Sequence, residues 1–140
     1  MSLSAEDRFA INDLFVRYTT ALDAGDVDTI VGCFTEDGAL ESPVVGRYAG
    51  RDGIRAFSER FAALNRRGVQ LRHVISNLAI TVNGDAARAT CYLTNIVTVD
   101  CRSQLMPPGR YECDLRKVGG EWLFRNRLVI LDASFDLPGV

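Results

Sequence analysis

The spacing of apolar residues changes once along this chain, near Gly68. Before this point apolar residues recur at helical spacing, and after it they alternate with polar residues as in β-strands. Four long strands are predicted after the change, at residues 70–82, 86–100, 109–118 and 121–133. The Asn-Gly and Gly-Gly pairs between two of the strand pairs are typical of antiparallel hairpins. The order predicts an α+β fold, with helices packed on one face of a curved, mainly antiparallel sheet.

The helical half divides into three helices and one short hairpin. Ser4 stands three residues before Asp7 in a capping-box-like arrangement and starts the first helix, which stops at Gly25. Asp26 can cap a short second helix. A β-hairpin around Pro43 and a third helix that closes at Gly68 complete this half. A chain of 140 residues has the size of one domain, so we expect residues 1–140 to form a single domain.

Charge and composition argue against several kinds of partner. Lys and Arg number 16 and Asp and Glu number 18, so no strong positive surface is available for nucleic acid or anionic lipid. No signal-peptide pattern or membrane-length apolar run is visible, and we expect a cytoplasmic protein with no nucleic-acid or membrane partner. The four cysteines form no CxxC pair and are expected to be reduced thiols. With one histidine, few ligands remain for a metal, and we expect none.

The single histidine, His73, lies in the first long strand. Strict alternation places it on one face with Leu71, Ile75 and Asn77. A face that is partly apolar and partly polar suits the wall of a ligand pocket. It equally suits an ordinary core that contains one hydrogen-bonded histidine, and the residues alone favour this second interpretation.

Three further polar residues have two interpretations each. Asp23, at the end of the first helix, is either a turn former or a carboxylate that needs a donor such as an imidazole, because a helix C-terminus carries partial negative charge. Tyr18 lies on the buried side of that helix and is either a core residue or a hydrogen-bonding group. Arg127, between aliphatic residues of the last strand, either extends to solvent or binds an anion inside, and extension to solvent is favoured.

The runs RYTTALDAGDVDTIVGCFTEDGALES and GRDGIRAF, with the terminal strands, resemble the SnoaL-like branch of the nuclear transport factor 2-like superfamily. The resemblance covers about residues 5 to 135. It implies a cone-shaped α+β barrel with the order α-α-β-β-α-β-β-β-β, the fold of scytalone dehydratase and ketosteroid isomerase. Because this superfamily contains enzymes and non-enzymes, function has to be argued from the site.

Two active-site patterns of the superfamily can be compared with this chain. The ketosteroid isomerase pattern matches at Tyr18 but has Ser42 before Pro43 and Cys113 on a later strand, where that enzyme has carboxyl groups. The dehydratase pattern matches better, because Asp23 and His73 fall on its two catalytic positions. The resemblance implies catalytic roles for His73, Asp23 and Tyr18, and substrate-binding roles for Asn77, Arg127, Cys113, Ser42 and Phe57.

These residues predict a lyase or isomerase of dehydratase type that needs no cofactor. A neutral histidine, with an ordinary pKa of about 6.5, can accept a proton from carbon, and an aspartate on its other nitrogen would orient it. The expected ligand is a small, mostly apolar organic molecule. A protein that binds such a ligand without converting it, and an aldol catalyst of polyketide-cyclase type, remain alternatives. The superfamily also implies a homodimer or homotrimer.

Overall fold

The computed structural model describes residues 3–137 and contains three helices and seven strands. The elements are α1 (Ala5–Ala24), α2 (Val27–Gly32), β1 (Phe34–Ser42), β2 (Gly46–Ala49), α3 (Gly50–Arg66), β3 (Gln70–Asn83), β4 (Ala86–Val99), β5 (Arg102–Leu105), β6 (Gly109–Val118) and β7 (Glu121–Leu131). The predicted caps form: the Ser4 hydroxyl accepts from the Asp7 amide, and the Asp26 carboxylate accepts from the Thr29 amide. The α+β prediction is confirmed.

The strands form one curved, open sheet in the order β2-β1-β7-β6-β4-β3, with β5 also paired to β4. Every strand pair is antiparallel except β1 with β7, which are parallel. The first strand, β1, therefore lies beside the last one, β7. The β1–β2 hairpin thus extends the sheet that the long strands β3, β4, β6 and β7 form. The helices then cover one face of this sheet, where the core lies.

Strand β5 was not predicted, because the segment after residue 100 has the composition of a loop. The turn before it uses Asp100 and Cys101, which both adopt left-handed backbone conformations with φ of 49° and 62°. Such a turn matches the twist of a tight hairpin but is usually marked by Asn-Gly or Gly-Gly. With neither pair present, no local signal indicates this strand.

A β-bulge in β3 overturns one prediction about the pocket wall. The register shifts between Ser76 and Ala79, and Asn77 has a left-handed φ of 56°. The extra residue reverses the alternation, so Leu78 and Ile80 pack against the core while Asn77 is exposed. The prediction that Asn77 shares the inner face with His73 was wrong.

A second bulge lies in β7, at Arg125. Cys113 and Asp114 of β6 pair with Arg127 and Asn126, but the next residue, Leu115, pairs with Phe124. Arg125 is thus an unmatched residue, and Phe124 and Arg127 both turn inward. Arg127 is only 2% exposed, so the prediction that its side chain extends to solvent was wrong.

The core is built around edge-to-face contacts between aromatic rings of α1 and the sheet. Phe15 and Tyr18 of α1 lie with ring centroids 5.2 and 5.3 Å from that of Phe124, and Tyr18 also contacts Phe34 at 5.7 Å. Such contacts add to the stabilisation from burial of the rings. Cys33, Cys91 and Cys113 are buried free thiols, as predicted, and Cys101 is an exposed one. No helix among residues 3–137 has the length and hydropathy to cross a membrane.

The single tryptophan links the start of α1 to the start of β7. The Trp122 indole N–H donates to the Asp7 carboxylate over 2.9 Å, and Lys117 lies 3.6 Å from the same oxygen. These contacts lower the pKa of Asp7 below its ordinary value of 3.8, the hydrogen bond from Trp122 contributing most. A depressed pKa contributes stability that is present at neutral pH and is lost as the pH falls below about 4.

We therefore expect acid titration below pH 4 to change the fluorescence of Trp122 and to lower the free energy of unfolding. In Asp7→Asn, which keeps an acceptor oxygen but cannot ionise, this part of the acid response should be smaller. The measurement is tryptophan emission and urea unfolding at a series of pH values. Identical pH profiles for the two proteins would contradict the role given to Asp7.

Candidate functional site

The end of helix α1 places Asp23 against strand β3. The helix stops because Gly25 adopts a left-handed conformation with φ of 71°, and a Cβ atom there would lie 3.0 Å from the Cα atom of Ala62 in α3. Glycine thus allows α1 and α3 to approach closely at this point. The Asp23 carbonyl oxygen accepts hydrogen bonds from the side-chain amides of Asn65 and Gln70. The last turn of α1 is therefore held between α3 and the start of β3.

The Asp23 carboxylate binds His73 through both backbone and side chain. Its Oδ1 atom lies 2.6 Å from Nδ1 of the imidazole, and the backbone N–H of His73 donates to Oδ2 over 3.0 Å and contacts Oδ1 at 3.2 Å. The two side chains are only 11% and 6% exposed. These donors compensate the partial negative charge of the helix end, which would otherwise disfavour a carboxylate at this position.

This arrangement fixes the tautomer of a neutral His73. A carboxylate can only accept, so the nitrogen that faces it, Nδ1, carries the proton. The other ring nitrogen, Nε2, then has its lone pair available, and no residue within 3–137 forms a hydrogen bond with it. The imidazole lines a cavity, so Nε2 is the atom that can take a proton from a bound molecule.

The cavity lies between the helices and the inner face of the sheet. About 50 Å³ of it is open to the centres of water-sized molecules, and the unfilled space of this region, solvent at its mouth included, is about 460 Å³. Most of its walls are apolar, and the polar groups are few. The lining residues are Leu22, Ser42, Val44, Val45, Phe57, Phe61, His73, Leu93, Asn95, Tyr111, Arg127, Val129, Leu131, Phe135 and Leu137. Apolar walls with a few placed polar groups are typical of small-molecule sites.

Arg127 brings a positive charge to this cavity. Its guanidinium carbon lies 4.8 Å from the ring centroid of Tyr18, 4.6 Å from that of Tyr111 and 5.9 Å from that of Phe57. These distances allow cation–π attraction. The Nε and Nη1 atoms are buried and have no hydrogen-bond partner among the described residues.

The other predicted site residues fall into two groups. Ser42 and Phe57 line the cavity, as Arg127 and His73 do. Tyr18 and Cys113 are completely buried behind it, Tyr18 under the guanidinium and Cys113 paired with Arg127 in the β6–β7 register. Neither is among the lining residues, and Asn77 lies outside at its bulge. The structure therefore gathers Asp23, His73, Ser42, Phe57 and Arg127 at one site.

Asn95 is a site residue that the sequence reasoning missed. It is the cross-strand partner of His73 in the β3–β4 hairpin, it is 8% exposed, and its Oδ1 atom is buried with no partner among the described residues. In a regular hairpin with Asn83 opposite Ala86, His73 would lie opposite Ile96. The bulge shifts the register by one residue and brings Asn95 opposite His73. Tyr111, Phe135 and Leu137 were also missed, the last two because the segment after β7 has no periodic pattern.

The buried phenols and thiols at the cavity wall and behind it stay protonated at neutral pH. Burial raises the pKa of the Tyr18 and Tyr111 phenols and of the Cys113 thiol, and the opposing effect of the Arg127 guanidinium is smaller. Burial likewise raises the pKa of Cys91, to about 11. Among the described residues, no three side chains of metal-ligating type form a cluster.

Comparisons with known proteins agree with this fold. The model of the SnoaL-like domain matches residues 3–128. A protein of unknown function with a cystatin-like fold from Nostoc punctiforme is 30% identical, with both chains covered completely and a TM-score of 0.81. A protein of unknown function from Mycobacterium tuberculosis is 26% identical, with 94% of this chain and 79% of that chain covered and a TM-score of 0.84.

A further similar structure is a putative scytalone dehydratase from Novosphingobium aromaticivorans. It is 21% identical, with 94% of this chain and 88% of that chain covered and a TM-score of 0.80. At that identity the likeness concerns the fold. A search among curated proteins found no match.

Proposed function

This chain belongs to the family of SnoaL-like domain proteins, and from that premise we propose that it is a small enzyme of dehydratase or isomerase type whose base is His73. One observation carries the proposal: the 2.6 Å contact between Asp23 Oδ1 and His73 Nδ1, at the wall of a mostly apolar cavity. A histidine with one nitrogen bound to a carboxylate and the other facing a ligand site has the arrangement of a general base.

The proposed first step breaks a carbon–hydrogen bond next to a carbonyl group of the substrate. The proton moves to Nε2 of His73, and the electron pair of the broken bond forms an enolate. Asp23 stabilises the imidazolium that results, because its carboxylate already accepts the hydrogen bond from Nδ1. No cofactor is needed for this step, since protein side chains supply both the base and the compensating charge.

The fate of the enolate decides the type of reaction. Expulsion of a leaving group from the neighbouring carbon gives a lyase, and return of the proton at another carbon gives an isomerase. Attack on a second carbonyl gives the aldol chemistry of a cyclase. All three share the proton abstraction, so a test of that step tests the common part of the proposal.

Two polar groups of the cavity can assist the step. Arg127 offers a buried positive charge, and Asn95 lies beside His73 on the neighbouring strand. A fixed charge between apolar walls attracts a negative charge of the substrate more strongly than it would in water. The apolar lining selects a mostly apolar substrate. The similar structure described as a putative scytalone dehydratase is consistent with dehydratase chemistry on this fold.

The test uses exchange of carbon-bound hydrogen for deuterium. The protein is incubated in deuterated buffer with 2-tetralone or with 3-benzoylpropanoate, a neutral ketone and a keto acid, and loss of the α-hydrogen signal is followed by NMR. We expect exchange faster than in buffer alone with at least one probe. Exchange at the buffer rate with both would contradict the proposed base and favour a protein that only binds its ligand.

His73 is the only histidine of the chain, which provides a chemical control. Diethyl pyrocarbonate acylates neutral imidazole nitrogens, and hydroxylamine removes the group. Catalysed exchange should disappear after acylation and return after hydroxylamine treatment. Exchange that survives complete acylation of His73 would assign the activity to another group.

A further inference from the structure

The guanidinium of Arg127 is buried without an acidic partner in the described part of the chain. Arg127 is 2% exposed, and it takes part in none of the ion pairs among residues 3–137. The carboxylate of Asp23, the acid of the candidate site, is bound to His73. An isolated charge removed from water is strongly unfavourable unless an opposite charge or hydrogen-bond acceptors compensate it.

The neighbours of the guanidinium do not supply that compensation. Tyr18 and Tyr111 face it with their rings at 4.8 and 4.6 Å, which gives cation–π attraction but no negative charge. Both phenols and the Cys113 thiol, its partner in the sheet register, stay protonated because burial raises their pKa values. Nε and Nη1 meanwhile have no acceptor among the described residues.

The other residues of the cavity lining indicate which kind of ligand this charge can bind. Among the described residues that line it, Arg127 is the only Lys or Arg and none is Asp or Glu, and His73 is neutral when it acts as a base. The Oδ1 atom of Asn95 is a further buried polar atom of the lining without a partner in the described chain. A pocket with one fixed positive charge and apolar walls is complementary to a molecule with one negative charge and an apolar body.

We propose that the cavity binds a small apolar organic acid, with its carboxylate on Arg127 and its apolar body against the Phe57 side of the pocket. This inference rests on the proposed function only in taking the cavity as the substrate site, and it makes the substrate class a carboxylic acid. A carboxylate fits because it carries a single charge and offers planar acceptors to a planar guanidinium. A phosphate ester with two charges would exceed the single Lys or Arg among the described lining residues.

The test compares benzoate with benzamide, which have the same ring and nearly the same shape but differ in charge. Binding to the full chain is measured by NMR titration at neutral pH and low chloride. We expect benzoate to bind at least about ten-fold more tightly than benzamide, the effect of one hydrogen-bonded charge pair. Equal affinities, or no binding of benzoate up to tens of millimolar, would overturn the proposal.

Three variants assign the preference to one residue. Arg127→Met should lose the preference for benzoate, and Arg127→Lys should keep part of it. Arg125→Met is the matched control, because Arg125 lies two residues away but pairs with Asp37 outside the cavity. His73→Gln should keep the preference, so failure of the proposed base and failure of the proposed ligand class give different results. A preference that persists in Arg127→Met would contradict the proposal.

Thermal unfolding of the ligand-free proteins adds an independent measurement. Replacement of an uncompensated buried charge by an apolar side chain of similar length should raise the Tm in low-salt buffer. Benzoate should then raise the Tm of the wild type but leave that of Arg127→Met unchanged. A Tm of Arg127→Met that benzoate raises as much as that of the wild type would overturn the proposal.

Discussion

His73→Gln should lower the catalysed rate of α-hydrogen exchange by about 10⁴-fold, which is the upper range for removal of a general base. Glutamine retains a side chain of similar length and hydrogen-bonding capacity, but it cannot accept a proton from carbon. The residue lines the cavity and its side chain is 6% exposed, so the change affects the site more than the surface. A rate within a few fold of the wild type would exclude His73 as the base.

Asp23→Asn should lower the same rate by about 10³-fold, through the tautomer of His73 rather than through loss of a base. The asparagine oxygen can still accept from the backbone N–H of His73, so the contact between α1 and β3 is kept. If the amide nitrogen faces Nδ1, that atom must accept, and the ring proton moves to Nε2. The nitrogen that faces the ligand is then no longer basic.

The double variant distinguishes a coupled pair from two independent residues. If Asp23 acts only through His73, the double variant should be no slower than His73→Gln alone, because the two effects are not additive. Asp26→Asn is the matched control: it changes an aspartate of the same turn that caps α2 and lies outside the cavity lining. The measurement is deuterium exchange of 2-tetralone or 3-benzoylpropanoate, whichever the wild type exchanges faster, with circular dichroism as a check of folding. A double variant slower by the product of the single effects would contradict the pair.

Gly109→Ala should destabilise the fold by about 3 kcal/mol or more, an effect at the upper end for overpacking. A Cβ atom at this position would lie 2.1 Å from the carbonyl oxygen of Ile130 and 2.9 Å from the Cα atom of Leu131. Both atoms belong to the backbone of β7, so no side chain can rotate away to make room. Strands β6 and β7 would have to separate where Gly109 pairs with Leu131, a residue of the cavity lining.

Gly32→Ala provides the matched control for this change. Gly32 lies in α2 without a positive φ, and a methyl group added there would meet nothing within 4 Å outside its own helix, so alanine fits and favours the helix. Urea unfolding should show a large decrease in the free energy of unfolding for Gly109→Ala, and little change or a small increase for Gly32→Ala. A loss below about 1 kcal/mol for Gly109→Ala would mean that the two strands can shift apart easily.

The sequence predicted most of the fold because its local signals agree with one another. The change of apolar spacing at Gly68, the caps at Ser4 and Asp26, and the glycine stop at Gly25 all lie where the structure places them. The pairing of Asp23 with His73 was expected from helix electrostatics and from family resemblance. The hydrogen bond between the two side chains is present in the structure, while their catalytic roles remain a proposal.

The sequence could not predict which side chains of β3 and β7 point inward, because no local pattern indicates a bulge. Strict alternation put Asn77 inside, and the usual behaviour of a charged side chain put Arg127 in solvent, but the bulges turn Asn77 outward and Arg127 inward. The same shift hid Asn95, since the partner of His73 depends on the register beyond the bulge. The buried state of Arg127 also depends on aromatic rings from α1, α3 and β6, which only the tertiary fold brings together.

The two bulges also affect how these strands can change in evolution. Each bulge adds one residue to the middle of a strand, and the parts of the strand before and after it still point the same side chains inward. The insertion of one residue at these positions therefore leaves the rest of the strand unchanged. Removal of Asn77 or Arg125 would restore plain alternation and still leave His73 and Arg127 facing the cavity. Alignments of this chain with its relatives should therefore permit one-residue gaps inside β3 and β7, although gaps are normally placed in loops.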